Sequence, residues 1–454
     1  MSTINPRIFR EYDIRGVVDD DIDEAVVETI GRAYGTYIKR LGKDTVTIGH
    51  DCRLSSPDFS RAMVTGITSA GVNVVDLGMV TTPMVYFSLF NLAVHGGVVI
   101  TASHNPSEYN GIKLCVDRDS LFGEKIQKIR RIAEGENFQK GTGTVKKLDI
   151  MDTYLDYLRK NLEIDPGLRV AIDCGNAVVG IVAPKILRHF GCELTELYVE
   201  PDGRFPNHHP DPTVEENIKD LIDAVRNQGL QLGLGFDGDG DRIGVVDERG
   251  TIIWGDMLVL IFARQILKLN PKAKIIGDVK CSVRLFKDIE RNRGIPIMWK
   301  TGHSLMKNKM KIERAALAGE MSGHIFFADR YYGYDDALYA GLRMLEIISK
   351  TGKRTSDLLE GVPNAFSTPE IRVDCPDETK FKLVNQTREE LKKEYNVIDI
   401  DGVRVEFPYG WGLIRASNTQ PALVLRFEGD SPERLEQIRS IIEDKLEIAR
   451  NKLC

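Results

Sequence analysis

The chain has no pair of cysteines spaced C-x-x-C. Its seven cysteines (Cys52, Cys115, Cys174, Cys192, Cys281, Cys375 and Cys454) are odd in number and scattered. That pattern excludes a disulfide framework and a zinc site, and implies reduced thiols in a reducing compartment. No window approaches ~18 uninterrupted apolar residues, and no apolar h-region precedes Asp13 and Arg15, so neither a membrane span nor a secretory leader is expected, and a cytoplasmic location is. Nor is there an excess of basic residues: the formal net charge is −6, without the footprint of a nucleic-acid partner. There is no low-complexity tract and no G-x-S-x-G elbow of a serine hydrolase. What remains is an ordinary soluble composition, 42% hydrophobic and 28% charged. Any anionic substrate would need local clusters of Lys and Arg.

At 454 residues the chain is long enough for about three domains, at ~150 residues each. One supersecondary unit recurs three times. Val46 to Gly49 ends at Asp51-Cys52, a helix runs from Asp58 to Ala70, Gly71 stops it, and Val72 to Val75 follows as a strand. Arg169 to Ile172 likewise ends at Asp173-Cys174, before a helix Val182 to Phe190, Gly191 and a strand Leu194 to Val199. Lys274 to Ile276 ends at Asp278, before a helix Val283 to Arg291, Gly294 and a strand Ile297 to Trp299. Strand, polar loop, helix, glycine stop and strand make the grammar of a βαβ unit. The last segment differs, with four short strands around a helix Thr379 to Glu394 and a charged helix Glu433 to Leu453, a smaller α+β domain. The expected boundaries are 1–150, 151–252, 253–365 and 366–454.

Four loops carry chemistry. In Thr101-Ala102-Ser103-His104-Asn105-Pro106 a buried-looking strand opens into a polar loop with one hydroxyl at its tip, and Ile112-Lys113-Leu114 follows as a strand holding a single cation. Taken alone, the loop reads first as a hydrophilic β-turn, because serine is a weak nucleophile without a partner. In Asp237-Gly238-Asp239-Gly240-Asp241-Arg242, alternate residues of an extended segment would bring three carboxylates together. Like charges ~4 Å apart repel by about 4 kcal/mol at an effective dielectric of 20, a cost that a divalent cation removes, and hard carboxylate oxygens suit Mg²⁺. Two imitations overlap this stretch. A G-x-G-x-x-G match lacks its helix, and an EF-hand match has Arg242 where that loop needs glycine. Glu320, Ser322 and His324 alternate in a third loop and could bind sugar hydroxyls, with an imidazole to spare; a structural histidine fits the pattern as well. In the fourth, Arg415-Ala416-Ser417-Asn418-Thr419 offers a guanidinium fork and several donors to a phosphate, though such runs are also common turns. His208-His209 reads as a polar hinge beside prolines, because adjacent residues in extended chain point apart.

Taken together, these four loops resemble the α-D-phosphohexomutase family, in its phosphomannomutase/phosphoglucomutase branch, over the whole chain. The resemblance implies three similar mixed α/β domains plus a C-terminal α+β, TATA-binding-protein-like domain around a central cleft. It implies that Ser103 carries the phosphoryl group and that Asp237, Asp239 and Asp241, with Ser103, hold one Mg²⁺ per chain. It further implies that Arg15, Lys113 and Arg242 neutralise the transferring group, with His104 beside Ser103 in the catalytic loop and His324 a candidate base. Glu320 and Ser322 would bind sugar hydroxyls, and Arg415, Ser417, Asn418 and Thr419 the non-reacting phosphate. Shorter matches add Tyr12, Lys280 and His303 as substrate contacts. The implied reaction interconverts hexose 1-phosphate and 6-phosphate, of mannose and also of glucose, through a 1,6-bisphosphate that doubles as activator. Monomer and dimer both stay open. The alternatives are a phosphoglucosamine mutase and a non-catalytic sugar-phosphate-binding protein.

Overall fold

A computed structural model describes residues 4–417 and 421–453. The chain forms two compact units, Met1–Phe262 with Ser322–Leu358, and Ala263–Met321 with Leu359–Cys454.

The first unit contains two mixed sheets. In one, the run Thr45–His50 has four of its six residues buried and pairs in parallel with Asn73–Met79 on one side and Gly96–Ile100 on the other. Gly96–Ile100 turns back antiparallel onto Tyr109–Val116, which in turn pairs with Ile14–Val17. The covering helices begin and end where their sequences dictate. Asp23 caps Glu24–Arg40 by accepting from the Val26 amide at 2.7 Å, and Lys39 and Arg40 sit against the negative end of the helix dipole. The core holds Ile30, Tyr34, Val46, Ile48, Met63 and Ile100. The other sheet places Leu232–Phe236 between Arg169–Asp173, to which it is parallel, and Ile243–Asp247, to which it is antiparallel. Arg169–Asp173 also pairs in parallel with Glu193–Leu197.

In the second unit, Lys274–Asp278 lies between Ile295–Trp299 and Leu317–Gly319, all parallel. The C-terminal sheet is antiparallel throughout, with Ala422–Gly429 and Gly410–Ala416 at its centre; the helices Asp377–Leu391 and Pro432–Leu453 bring Leu383, Ile438 and Ile442 into one core with the strand residues Val405, Leu425 and Phe427. Helices at 56–69, 183–189 and 283–291 link the paired strands of the three repeats, so the expected strand–helix–strand unit is present three times and the α+β segment once. Among the described residues, no helix is long and apolar enough to cross a membrane, and the six described cysteines are buried and not joined in disulfides.

Candidate active site

Ser103 stands where the strand Gly96–Ile100 ends. Its backbone is left-handed at φ +51°, a conformation that non-glycine residues enter only when the surroundings enforce it. The Ser103 amide donates to Thr101 Oγ1 (2.9 Å) and Asn105 N donates to Ala102 O (3.0 Å), which curls the loop. Ser103 Oγ donates to Asp237 Oδ2 at 2.7 Å. Gly238 makes that approach possible, since a Cβ there would lie 2.1 Å from Ser103 O.

The three aspartates do come together, but through a tight turn rather than an extended run. Asp237 Oδ1 accepts from the amides of Gly240, Asp241 and Arg242 at 3.0, 3.0 and 3.1 Å, folding the segment around its first carboxylate. One oxygen from each of Asp237, Asp239 and Asp241 lies within 4.8 Å of the others, and all three side chains are buried. Lys113 Nζ donates to Asp239 Oδ2 and Asp241 Oδ2, both at 2.6 Å. Burial opposes its charge, but Asp239 and Asp241 outweigh it and hold the ammonium well above its ordinary pKa. Three carboxylates and one ammonium still leave two negative charges. Burial, then the charges of Asp241 and Asp239, push the Asp237 carboxyl well up. Asp239 Oδ1 and Asp241 Oδ1 are buried without a hydrogen-bond partner, although His324 Nδ1 stands 3.5 Å from the latter. Two orphaned carboxylate oxygens, the Asp237–Ser103 pair and a residual double negative charge are what a hard divalent cation would satisfy. The triad can hold a metal.

The expected cations and histidines lie around this centre. Arg15 donates to Asn105 Oδ1 (2.5 Å) and Asp13 Oδ2 (2.6 Å), with Tyr12 half-buried just upstream. Arg242 Nε donates to His324 Nε2 at 2.9 Å, and His324 Nδ1 lies 2.9 Å from Asp335 Oδ2. His104 Nδ1 is 3.2 Å from Ser103 Oγ. Removal from water, then the charges of Arg242 and Arg15, lower its pKa well below the usual histidine value, so the ring is neutral. Ser322 is half-buried in the turn before His324.

In the second unit, buried Lys280 donates to Glu370 Oε1 at 2.7 Å. That lysine, set against the cost of burial, brings the Glu370 carboxyl down to about 2. Arg415 Nη2 pairs with Asp401 Oδ2 at 3.1 Å, and the same oxygen accepts from Thr301 N at 3.1 Å. Glu320 Oε1 accepts from Gly302 N (2.9 Å) just before buried His303 opens the helix His303–Glu313. Ser417 N donates to Ala422 O at 2.9 Å; Asn418 and Thr419 lie outside the described residues.

Sequence reasoning missed four contributors. Thr82 donates to Asp239 Oδ2 at 2.5 Å, Asp335 holds His324, Glu370 holds Lys280, and Arg53 grips the serine loop. Only Arg53 carried a signal, standing directly after the repeated Asp-Cys strand end.

Comparison with known proteins agrees with this geometry. The chain matches the four family descriptions Phosphoglucomutase/phosphomannomutase, alpha/beta/alpha domain I (residues 6–140), domain II (152–250), domain III (254–366) and C-terminal domain (370–445). It is 44% identical over 452 residues to a phosphomannomutase/phosphoglucomutase of Pseudomonas aeruginosa, covering 99% of this chain and 98% of that one. It is 43% identical to a phosphoglucomutase of Neisseria gonorrhoeae, covering 97% and 96%. The crystal structure of a phosphoglucomutase/phosphomannomutase family protein from Burkholderia thailandensis superposes with a TM-score of 0.94 at 41% identity, covering 99% of this chain and 98% of that one. Four domains in order, a serine seated on an acidic triad and whole-length identity lead to one conclusion: this chain belongs to the phosphoglucomutase/phosphomannomutase family.

Proposed function

We propose that this protein interconverts the 1-phosphates and 6-phosphates of mannose and glucose, with Ser103 as the phosphoryl carrier and a hexose 1,6-bisphosphate as intermediate and activator. The observation that carries the reading is Ser103 Oγ, 2.7 Å from an Asp237 oxygen whose two neighbouring aspartates keep orphaned buried oxygens. A pocket that only bound sugar phosphates would need neither a phosphoryl acceptor nor that triad. Asp237, Asp239, Asp241 and the oxygen on Ser103 would hold Mg²⁺, which would supply charge neutralisation at the transferring phosphoryl group.

In the forward half-reaction the P–O bond to Ser103 breaks and a P–O bond to the free sugar hydroxyl forms. Lys113, Arg15 and Arg242 oppose the charge on the transferring oxygens. The sugar hydroxyl gives up its proton as Ser103 Oγ gains one on leaving, and we assign that relay to neutral His104, whose ring lies 3.2 Å from Oγ. His324 acts by holding Arg242, its two nitrogens being turned to that arginine and to Asp335. The bisphosphate then turns over and returns its other phosphoryl group to Ser103. Glu320, Ser322, Lys280, His303 and Tyr12 would hold the sugar, and Arg415 with the residues 417–419 the idle phosphate. We place the domain boundaries near 150, 252 and 365, and the protein in the cytoplasm.

A coupled assay tests this with mannose, glucose and glucosamine phosphates, with Mg²⁺ and with or without trace bisphosphate. Turnover of mannose and glucose phosphates that depends on bisphosphate is expected, with Ser103→Ala losing at least about 1,000-fold in kcat. No turnover by the phosphorylated, metal-loaded protein would sink the reading, and a rate highest for glucosamine phosphate would make it a phosphoglucosamine mutase.

A further inference from the structure

The strand Thr45–His50 ends in Asp51-Cys52-Arg53, and none of the four loops that carry the chemistry includes these residues. Asp51 Oδ1 accepts from the Arg53 amide (3.0 Å) and from Ser56 Oγ (2.5 Å), an Asx turn that closes the strand end. Its other oxygen lies 3.2 Å from Arg53 Nε. The guanidinium is thereby aimed away from solvent, and Arg53 is 1% exposed.

It points into the concave side of the serine loop. Nη2 donates to Ser103 O (2.7 Å) and Asn105 O (2.6 Å), and Nη1 to Pro106 O (2.6 Å) and Tyr109 O (2.9 Å). All four terminal N–H groups are therefore spent on main-chain carbonyls of one seven-residue turn. Only a planar fork can satisfy four inward carbonyls at once; an ammonium has three donors on one atom. The Phe205 ring covers the outer side, with Arg53 Cζ 5.2 Å from its centroid.

The consequence falls on Ser103. Its left-handed backbone is the strained conformation of this loop, and its carbonyl is caught between Arg53 Nη2 and the bare face of Gly238. Relaxation toward ordinary extended backbone would swing that carbonyl off the guanidinium and carry Oγ off Asp237. We propose that Arg53 is the positioning residue of the phosphoryl carrier: by gripping four carbonyls it holds Ser103 in the one backbone state that aims Oγ at the acidic triad. Arg53 acts through the loop, and the inference rests on Ser103 being the carrier.

The test uses the full-length enzyme with Mg²⁺, glucose 1-phosphate and glucose 1,6-bisphosphate. Arg53→Met and Arg53→Lys are both expected to lose about 100-fold in kcat, the scale of a misplaced reacting group, with KM changed less than about 3-fold. Phosphorylation of Ser103 by the bisphosphate, followed by intact mass, is expected to slow in parallel. Methylguanidinium added to Arg53→Ala is expected to restore kcat at least about 5-fold, which a merely space-filling side chain would not show. Full activity in Arg53→Lys, or a raised KM with kcat intact, overturns the proposal. Should the Arg53 variants not fold, Asp51→Asn decides: it keeps the Asx turn but takes the charge from beside Nε, and an expected loss of about 10-fold in kcat contrasts with no change if the grip is irrelevant. An active Ser103→Ala would defeat the carrier assignment itself, whereas an inactive Ser103→Ala beside fully active Arg53 variants defeats only the grip.

Discussion

Asp51 and Asp173 end corresponding strands in the first two repeats, and each makes the same first bond. Asp51 Oδ1 accepts from the amide two residues on at 3.0 Å, and Asp173 Oδ1 does the same at 2.9 Å. They differ in what faces them from the side. Asp51 Oδ2 meets the guanidinium of Arg53, while both Asp173 oxygens lie 3.1 Å from His208 Nε2. In the third repeat Asp278 Oδ1 takes the Lys280 amide at 3.2 Å, and Oδ2 takes Thr301 Oγ1 at 3.0 Å. One backbone device thus serves three loops, and the partner decides the loop's work. In the first repeat the partner reaches the Ser103 loop; in the third, Thr301 shares Asp401 with Arg415, and Lys280 pairs with Glu370; in the second, the imidazole ties down a proline-rich stretch.

Breaking the three aspartates one at a time should therefore give three different phenotypes. Asp51→Ala removes the Asx turn, the Ser56 partner and the ion pair behind the guanidinium. Its kcat is expected to fall about 30-fold to 100-fold with KM for hexose phosphate nearly unchanged, read by steady-state kinetics. An intact kcat would mean that the two strand ends do not differ in function. Asp278→Ala should cost less and in a different constant. Losing the carboxylate that accepts from Lys280 N, Thr301 Oγ1, Cys281 Sγ and Met321 N is expected to raise KM by about 10-fold, with kcat lowered less.

The threefold unit was legible because each copy writes the same local chemistry: a β-branched run, a strand-end aspartate, an apolar-faced helix and a glycine stop. That Ser103, Lys113 and the aspartate triplet gather in one place was legible because their own side chains make the contacts. Arg53 was marked only by its place after a strand-end Asp-Cys; its role was not legible, since its partners are main-chain carbonyls about fifty residues away, and every residue has a carbonyl. Thr82, Asp335 and Glu370 escaped for a related reason: each reaches its partner from another element, at a spacing only the fold sets. The convergence of Asp237, Asp239 and Asp241 was expected from alternation, yet the turn achieves it through three amides converging on Asp237 Oδ1.

The second repeat supplies the smallest effect and the sharpest control. His208 sits against a buried carboxylate. Burial alone would lower its pKa, but the hydrogen bond and charge of Asp173 outweigh that and raise it. A histidine whose folded pKa exceeds its unfolded value of about 6.5 contributes stability that is fully present below that pH and is lost as pH rises through the folded value. Asp173→Ala should thus leave mutase activity within about twofold while lowering stability by about 1–2 kcal/mol near pH 5.5. The difference should shrink steadily above about pH 6.5, as wild-type His208 loses its proton. His208→Gln should remove the pH-dependent part and nothing else, with unfolding followed in urea across that range. A stability gap between wild type and Asp173→Ala that stayed constant with pH would show that the aspartate serves its Asx turn alone. The second strand end would then be a bare backbone device, and the divergence between the repeats would reduce to the first and third.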